Sequence, residues 1–485
     1  MRKYNNEVQK NFKKIKQFII KNNMFFICFS LSFIILLLTY FIYYPGVFTY
    51  DGNYQWQQVQ SGIINNAHPF FSTYFMYLLS KICNSITMII IFQIILFSSI
   101  WAYFCNSLKL NLKHENIIKM LFTIILCLVP LIGIYNITLW KDVIYTDYLF
   151  LIGIFIFSWA NNDYKLSNSK YISLGIILQL AFSYRHNGII VSLLILFIFY
   201  FIEFIKYKKR LIIKKDFYKS FLTILSFIVL YIIILIPKNM YLKNYEKDNK
   251  EIKEVSCSTF DSYLVWMMGA HLREKNVKDK SDLEFLNNII PIKEWKKVYN
   301  PYLINNTNLS KSLDQSYVVK NKTKFRKIFL KYLMKNPNTI IKHYLKSDAL
   351  LFNPVSSING YVYTYSFGEL KYLPKYTKIN TKIPVLKNMY DKYINLSLHK
   401  LFIIFYEPAF ILYLSLIITI TLSKKVYGKK IWLFITPMLM NTISLIPINL
   451  AQDLRYVYIN YLTFFGLLLM FILNYSKILK KSGSV

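Results

Sequence analysis

Long apolar runs separated by short polar stretches repeat along most of this chain. Ten of them approach the length of about 20 residues that an α-helix needs to cross a bilayer. The pattern predicts an all-α polytopic membrane protein with about ten transmembrane helices. The fifth run is short, so the fifth and sixth runs could instead form one kinked or re-entrant unit. The ten runs cover residues 24–44, 87–104, 117–135, 143–160, 171–183, 188–205, 217–237, 401–422, 431–450 and 457–475.

One long polar stretch, residues 238–398, interrupts the apolar pattern. Helical periodicity is visible around 320–335 and 339–351, and Gly, Pro and Tyr punctuate the rest. We expect a small, mainly helical extracytoplasmic domain here. The sequence therefore predicts three parts, which are an N-terminal transmembrane module (1–237) with a first outer loop (45–86), the extracytoplasmic domain (238–398) and C-terminal transmembrane helices (399–485).

Basic residues are distributed unevenly between the two predicted sides of the membrane. The short segments on one side hold 24 Lys and Arg residues, and those on the other side hold four. Cytoplasmic segments of membrane proteins are enriched in Lys and Arg, so we expect a multi-pass cell-membrane protein with both termini in the cytoplasm. The formal charge of +35 also fits basic cytoplasmic loops, and we expect no nucleic-acid partner. The five cysteines show neither a disulfide framework nor a zinc-ligand spacing.

The predicted outer side has little charge, but that charge falls in four compact clusters. They lie at residues 44–53, 139–142, 183–188 and 451–456, each at the outer end of a predicted span. An uncompensated charge at the boundary between water and membrane is costly and usually functional. We therefore expect the four clusters to converge on one cavity.

The first cluster contains Asp51, for which two roles stay open. Asp51 could cap a helix that runs from about residue 52 to 60 and ends at Gly62. It could also act as a general base toward an acceptor hydroxyl, or help to bind a divalent metal ion. Tyr50 is a candidate substrate contact beside it. His68 could be a turn residue, bind a phosphate or position Asp51.

The other clusters supply the candidate anion-binding groups. Lys141, Arg185 and Arg455 are three of the four basic residues in the short outer segments. Each could be an interfacial side chain that reaches toward water. Together with His186 they could instead bind a phosphate or pyrophosphate on a lipid carrier. The neighbouring acids, which are candidate substrate contacts or simple ion-pair partners, are Asp142 and Asp453.

The order of these motifs resembles the GT-C type glycosyltransferases, which use polyprenyl-phosphate-linked sugars. Within this group the chain is similar to bacterial membrane proteins that are related to the branch of protein O-mannosyltransferases and lipid A aminoarabinose transferases. It covers roughly residues 24–237 and 400–475. The motifs that carry it are Tyr44-Pro45-Gly46 through Tyr50-Asp51, His68-Pro69, Trp140-Lys141-Asp142, Tyr184-Arg185-His186-Asn187 and Asp453-Leu454-Arg455-Tyr456.

The resemblance implies an inverting membrane glycosyltransferase with an extracytoplasmic active site. Its partners would be membrane lipid, a polyprenyl-phosphate sugar donor and an acceptor hydroxyl on a glycan, lipid or protein. In that superfamily an acidic residue of the first outer loop is the catalytic base or a metal ligand, a place that Asp51 occupies here. Basic residues of later loops bind the carrier phosphate, which implies this role for Lys141, Arg185 and Arg455. The first loop has one carboxylate and not an adjacent acidic pair, which disfavours a metal site built from this loop alone, although Asp142 could supply a second ligand.

Two other functions fit the same pattern of spans. A transporter or lipid flippase of cell-envelope glycan precursors also needs many spans and a charged cavity, although such proteins usually show paired repeats and helices interrupted near the midplane. A non-catalytic subunit of a polysaccharide assembly is the third hypothesis. The sequence contains no P-loop, GxGxxG, HExxH or GxSxG motif, so nothing indicates ATP, nicotinamide or zinc-protease chemistry.

The charge distribution makes a direct prediction about topology. In a variant whose own five cysteines are replaced by serine, a cysteine introduced at Asn306 should react with a membrane-impermeant thiol reagent on intact cells. A cysteine introduced at Lys209 should react only after the cells are permeabilised. The opposite labelling pattern would place every cluster named above in the cytoplasm.

Overall fold

A computed structural model describes residues 22–108, 114–248, 257–354, 378–398 and 403–480, together with Gln17 and Ile20. These residues form helices joined by short turns. Within the described ranges no β-strand occurs, and the two isolated bridges join Val47 to Thr138 and Leu303 to Ala451. The predicted all-α class is therefore confirmed.

Seven helical segments are long and apolar enough to cross a membrane. A further pair, Glu115–Leu128 and Pro130–Asn136, meets the same standard together but is bent by 72°. The described parts of the chain thus contain seven such segments, or eight if the bent pair is one span. The seven are Asn23–Ile42, Ile86–Ser107, Lys141–Asn161, Gly188–Lys208, Lys214–Lys243, Pro408–Leu445 and Leu454–Leu473.

The number of candidate spans is lower than the ten predicted, and the difference arises in part at the fifth, eighth and ninth predicted spans. The fifth predicted span corresponds to the helix Asn168–Tyr184, which has 17 residues and is short for a full crossing. The eighth and ninth predicted spans both overlap the single segment Pro408–Leu445, in which a turn at Gly428, with a positive φ of 61°, separates Pro408–Leu422 from Trp432–Leu445. The count of ten crossings stays a prediction.

The helix Lys141–Asn161 occupies the centre of the bundle. In its most apolar stretch 89% of the residues are buried, against 17% for the peripheral segment Lys214–Lys243. Aromatic rings fill the space around the central helix. The Phe150 ring makes edge-to-face contacts with Phe104 at 5.4 Å and with Phe434 at 5.8 Å. Because this central helix begins at Lys141, its first residues lie in the middle of one end of the bundle.

The helical insert, which we define as residues 257–354, has its own hydrophobic core. Trp266, Trp295 and Phe325 are almost fully buried there, apart from the core of the apolar helices. Ile448 and Leu450 pack against this second core, so the insert is attached to the membrane helices through the loop that contains them. The helices of the insert are Thr259–Arg273, Lys280–Asn287, Ile292–Val298, Asn305–Asn308, Gln315–Lys320, Lys322–Lys335, Pro337–Ser347 and Ala349–Phe352.

The ends of the predicted polar domain merge with the membrane helices. Pro237 lies inside the helix Lys214–Asp248, so this helix continues past the predicted boundary at 237. At the other end, the helix Pro384–Ser397 packs on the first apolar helix, where the Tyr43 hydroxyl donates to Asp391 at 2.6 Å. The remaining α-helices of the described ranges are Tyr50–Ser61, Phe70–Ile82 and Tyr475–Lys480, the last of which follows the last span.

Two histidines are buried inside the insert. His271 is fully buried, and neither ring nitrogen has a hydrogen-bond partner among the described residues. His343 is 2% exposed and its ring packs on Trp266 at 4.4 Å, while its Nδ1 lies 2.9 Å from the Tyr299 hydroxyl. Burial lowers the pKa of each histidine from 6.5 to about 4.

The two histidines should therefore destabilise the insert in mild acid, while the buried carboxyl of Asp348, whose pKa burial raises to about 7, acts in the opposite direction. Between about pH 6.5 and 4 the unfolded chain binds more protons at His271 and His343 than the folded chain does, so the free energy of unfolding falls as the pH falls through this window. One pKa unit corresponds to about 1.4 kcal/mol, so the loss should be on the order of a few kcal/mol. Thermal unfolding in detergent, followed by tryptophan fluorescence, measures it.

His271→Leu should reduce this pH dependence clearly, because leucine cannot be protonated. His114→Leu is the control, since His114 is exposed and its replacement should leave the pH dependence unchanged. Identical pH dependence in His271→Leu and the wild type would show that the buried ring does not cause the effect.

Candidate functional site

A cavity of about 630 Å³ lies where the central helix begins, Asn168–Tyr184 ends and Trp432–Leu445 ends. Its lining combines a charged part with apolar side chains from the insert and from the loop before Arg455, including Leu303 and Leu450. All nine side chains that the sequence predicts for the site line this one cavity. They are Tyr50, Asp51, His68, Lys141, Asp142, Arg185, His186, Asp453 and Arg455.

Asp51 lies in the first turn of the helix Tyr50–Ser61. The side chain of Thr49 caps this helix by accepting a hydrogen bond from the Gly52 backbone N–H at 3.2 Å. The interpretation of Asp51 as the helix cap is therefore wrong, and its carboxylate is free to point into the cavity. The predicted end of the helix is found at Gly62, whose φ of 71° suits glycine.

Backbone pairing joins the first outer loop to the turn before Lys141. Val47 donates to the Ile137 carbonyl at 2.9 Å, and Leu139 donates back to the Val47 carbonyl at 2.9 Å. The buried amide of Gln93 donates to three carbonyls of the same turn at 3.0 Å each, those of Tyr135, Asn136 and Thr138. These bonds hold the segment that carries Asp51 beside the start of the central helix.

Arg455 contacts all three carboxylates of the cavity. Its Nη1 lies 2.6 Å from Asp51 Oδ2 and 4.0 Å from Asp142 Oδ2, and its Nε lies 2.8 Å from Asp453 Oδ2. The guanidinium also lies 5.3 Å from the Trp140 ring centroid, within the range of a cation–π contact. Arg455 is therefore the centre of the charge network.

Arg185 is held by protein groups on several sides. Its Nε lies 3.1 Å from Asp142 Oδ1, and its Nη1 donates to the Tyr456 carbonyl at 3.2 Å. The guanidinium lies 4.6 Å from the Tyr456 ring and 5.6 Å from the Tyr145 ring. Arg185 thus has a fixed position, and a ligand would compete with these contacts for its donors.

Lys141 has the weakest protein contacts of the three cations. Its Nζ lies 3.8 Å from Asp51 Oδ2 and 3.7 Å from Asp142 Oδ2, beyond ordinary hydrogen-bond distance. No residue in the described parts of the chain accepts a hydrogen bond from it, although Lys141 is only 8% exposed. Of the three cations, Lys141 therefore has the most N–H donors available to bind an anion.

The electrostatic environment of the cavity sets the protonation states of Asp51 and His68. Burial alone would raise the pKa of Asp51, but the charges of Lys141 and Arg455 outweigh burial and hold that pKa well below its usual range. Burial, together with the charge of Lys141, lowers the pKa of His68 to about 4. At neutral pH Asp51 is therefore ionised and His68 is neutral.

The charges of the cavity balance. Three carboxylates, Asp51, Asp142 and Asp453, face the three cations just described. Among the described residues no group of three His, Cys, Asp or Glu side chains is placed to hold a metal ion. The carboxylates that could serve as ligands are already paired with cations, so this donor set does not favour a divalent metal.

A second polar network ties the third cluster to the fourth. Asn187 donates to Asn441 Oδ1 at 3.2 Å and to Ser444 Oγ at 3.1 Å, and Asn441 donates to the Tyr456 carbonyl at 2.9 Å. Gln93 and Asn441 are not among the functional candidates that the sequence predicts. Their signal was available, since each is an amide side chain inside a long apolar run.

Comparisons with known proteins add no relative. No family model, curated protein or solved structure matches this chain. The resemblance to GT-C type glycosyltransferases therefore rests on sequence motifs, and the activity it implies stays a proposal.

Gly52 packs closely against the turn before Lys141, although it does not line the cavity. A substitution at Gly52 should therefore disturb the cavity indirectly. A Cβ atom at Gly52 would lie 2.3 Å from the Leu139 carbonyl oxygen, so Gly52→Ala must push the helix Tyr50–Ser61 away from the turn. We expect a loss of about 1–3 kcal/mol of stability and faster hydrogen exchange at residues 137–140. Thermal unfolding and hydrogen–deuterium exchange measure the two effects.

Gly62→Ala provides the matched control at the other end of the same helix. Nothing lies within 4 Å of its Cβ position, but its positive φ makes alanine unfavourable by roughly 1–2 kcal/mol. This variant should lose stability without faster exchange at 137–140. Equal exchange in both variants would contradict the close packing of Gly52.

Proposed function

We propose that this protein is an integral membrane glycosyltransferase. It moves a sugar from a polyprenyl-phosphate carrier to an acceptor hydroxyl on the extracytoplasmic face. The observation that carries the proposal is the convergence of one ionised carboxylate, Asp51, and three cations on a single cavity at one end of the apolar helices. The motif resemblance and the distribution of basic residues support it further.

The carrier phosphate binds first to Lys141. Its ammonium has donors available, whereas Arg185 and Arg455 are engaged by carboxylates. A carrier phosphodiester adds one negative charge to a cavity that is balanced without it. Lys141 and Arg455 then divide their attraction between the phosphate and Asp51, which raises the basicity of this carboxylate while the donor is present.

Transfer is one displacement. The acceptor oxygen bonds to the anomeric carbon as the bond from that carbon to the carrier phosphate breaks, and the phosphate leaves with the electron pair. Asp51 takes the proton of the acceptor hydroxyl. Lys141 and Arg455 stabilise the charge that develops on the leaving phosphate. Attack opposite to the leaving group inverts the anomeric centre.

A transporter or lipid flippase is the alternative. Its substrate would meet charged groups near the midplane of the bundle, at interrupted helices. Here the charges of the cavity lie at helix ends, where Lys141 begins one helix and Arg185 follows another. This position favours chemistry at the membrane surface over movement of a headgroup through the bundle. Incubation of the purified protein with polyprenyl-phosphate sugars, followed by measurement of donor consumption, separates the two functions.

Asp51→Asn tests the assignment of the base. Asparagine keeps the size of the side chain but does not accept a proton, so the transfer rate should fall by about 10²-fold or more. Thr49 still caps the helix, so folding should be retained. Donor affinity should stay the same or rise, because the phosphate no longer competes with Asp51 for Arg455. Single-turnover transfer and donor binding in nanodiscs measure these effects.

Asp391→Asn is the matched control. Asp391 also pairs with a lysine, with Lys387 Nζ at 2.6 Å, but it does not line the cavity. Its replacement should leave the transfer rate unchanged. A folded Asp51→Asn protein that transfers sugar at the wild-type rate would remove Asp51 as the base. Failure of the wild type to consume any donor would favour the transporter.

A further inference from the structure

The loop between Leu445 and Leu454 carries Asp453 and leads directly to Arg455. This loop is fastened to the helical insert, not to the membrane helices alone. The Ile304 backbone N–H donates to the Leu450 carbonyl at 3.0 Å, and the Tyr263 hydroxyl donates to the Ile448 carbonyl. The insert therefore contacts the chain immediately before the centre of the charge network.

The side chain of Gln452, which is fully buried, makes further hydrogen bonds between this loop and the insert. Its Oε1 accepts from the Leu350 backbone N–H at 2.6 Å, and its Nε2 donates to the Ser347 carbonyl. Asn449 Nδ2 donates to the same Ser347 carbonyl at 2.6 Å. The last carbonyls of a helix have no partner within the helix. The two amides therefore complete the end of Pro337–Ser347 and the start of Ala349–Phe352.

The next residue, Asp453, connects the hydrogen-bonded Gln452 to Arg455 in the cavity. The Asp453 N–H donates to the Ala451 carbonyl at 2.9 Å, and Asp453 Oδ1 accepts from the Arg455 N–H at 3.1 Å. The same carboxylate holds Arg455 Nε at 2.8 Å. Gln452 is thus one residue from the group that orients Arg455, and its partners all belong to the insert.

We propose that Gln452 is a positioning residue, which fastens the loop 446–453 to the insert and thereby holds Asp453 and Arg455 in the geometry of the cavity. A residue that merely stabilised the fold could be apolar at this buried position. The Gln452 side chain offers a donor and an acceptor, and each meets a backbone group at the junction of two insert helices, which fixes the loop in one position. The insert then controls the charge network without supplying a charge to it. Only the ligand-binding consequence of this proposal rests on the proposed function.

The test compares Gln452→Met with the wild type by hydrogen–deuterium exchange. Methionine keeps the approximate volume and removes both hydrogen bonds. The backbone amides of residues 453–456 should exchange about tenfold faster, because a local opening no longer has to break those two bonds. Gln452→Glu keeps the acceptor for the Leu350 N–H but places a carboxylate oxygen against the Ser347 carbonyl, so exchange at 453–456 should also be faster than in the wild type.

Asn474→Leu is the matched control. Asn474 is also fully buried, and its amide donates to the Tyr427 hydroxyl at 3.0 Å and to the Met470 carbonyl at 2.8 Å, at the other end of the last span. This variant should unfold at a lower temperature than the wild type, yet leave exchange at 453–456 unchanged. If Gln452→Met lowers the unfolding temperature but leaves that exchange at the wild-type rate, the residue is only structural and the proposal is overturned.

Binding of farnesyl phosphate in nanodiscs gives the second readout. Its affinity should fall by at least threefold in Gln452→Met and stay unchanged in Asn474→Leu. An unchanged affinity in Gln452→Met, when the wild type binds, would contradict the link from the loop to the cavity. Failure of the wild type to bind this probe would count against the proposed function, and exchange at 453–456 would still decide the role of Gln452.

Discussion

The pairing of Arg455 with the carboxylate of Asp51 is the interaction on which the rest of the cavity depends. Six charged side chains lie at one end of a bundle of apolar helices, where an unpaired charge would carry a large desolvation penalty. Arg455 reaches all three carboxylates, and Arg185 and Lys141 balance the charge that remains. Residues from four distant parts of the chain can therefore share a largely buried site because their charges cancel.

Ion pairing alone does not fix the positions of these charged side chains. A guanidinium or ammonium group at the end of a long side chain has many rotamers, so backbone and amide contacts must limit its position. The bridge between Val47 and Thr138, the amide of Gln93 and the buried amides near Tyr456 supply these limits from within the membrane helices. The insert supplies another through Gln452. The cavity is thus a product of neutral hydrogen bonds as much as of ion pairs.

A balanced cavity has a consequence for ligand binding. Any anion that enters must be compensated by a cation that already serves a carboxylate, so binding redistributes charge within the network. The lowered pKa of Asp51 shows how strongly the cations act on this carboxylate when no ligand competes. An ionised group whose basicity rises when an anion binds nearby is suited to accept a proton only after the substrate is in place.

The sequence by itself determined the all-α class and the residues that gather at the cavity. Apolar runs of span length predict helices, and a charge at the boundary of such a run is rare because its desolvation is costly. It did not predict the bend at Val129, where Pro130 begins the next helix, or the turn at Gly428, which has a positive φ. Nor did it identify Thr49 as the helix cap, or Gln452 as a link to the insert. The Thr49 cap is a contact with the nearby Gly52 N–H. The role of Gln452 depends on which distant backbone groups lie within its reach, and only the tertiary structure decides that.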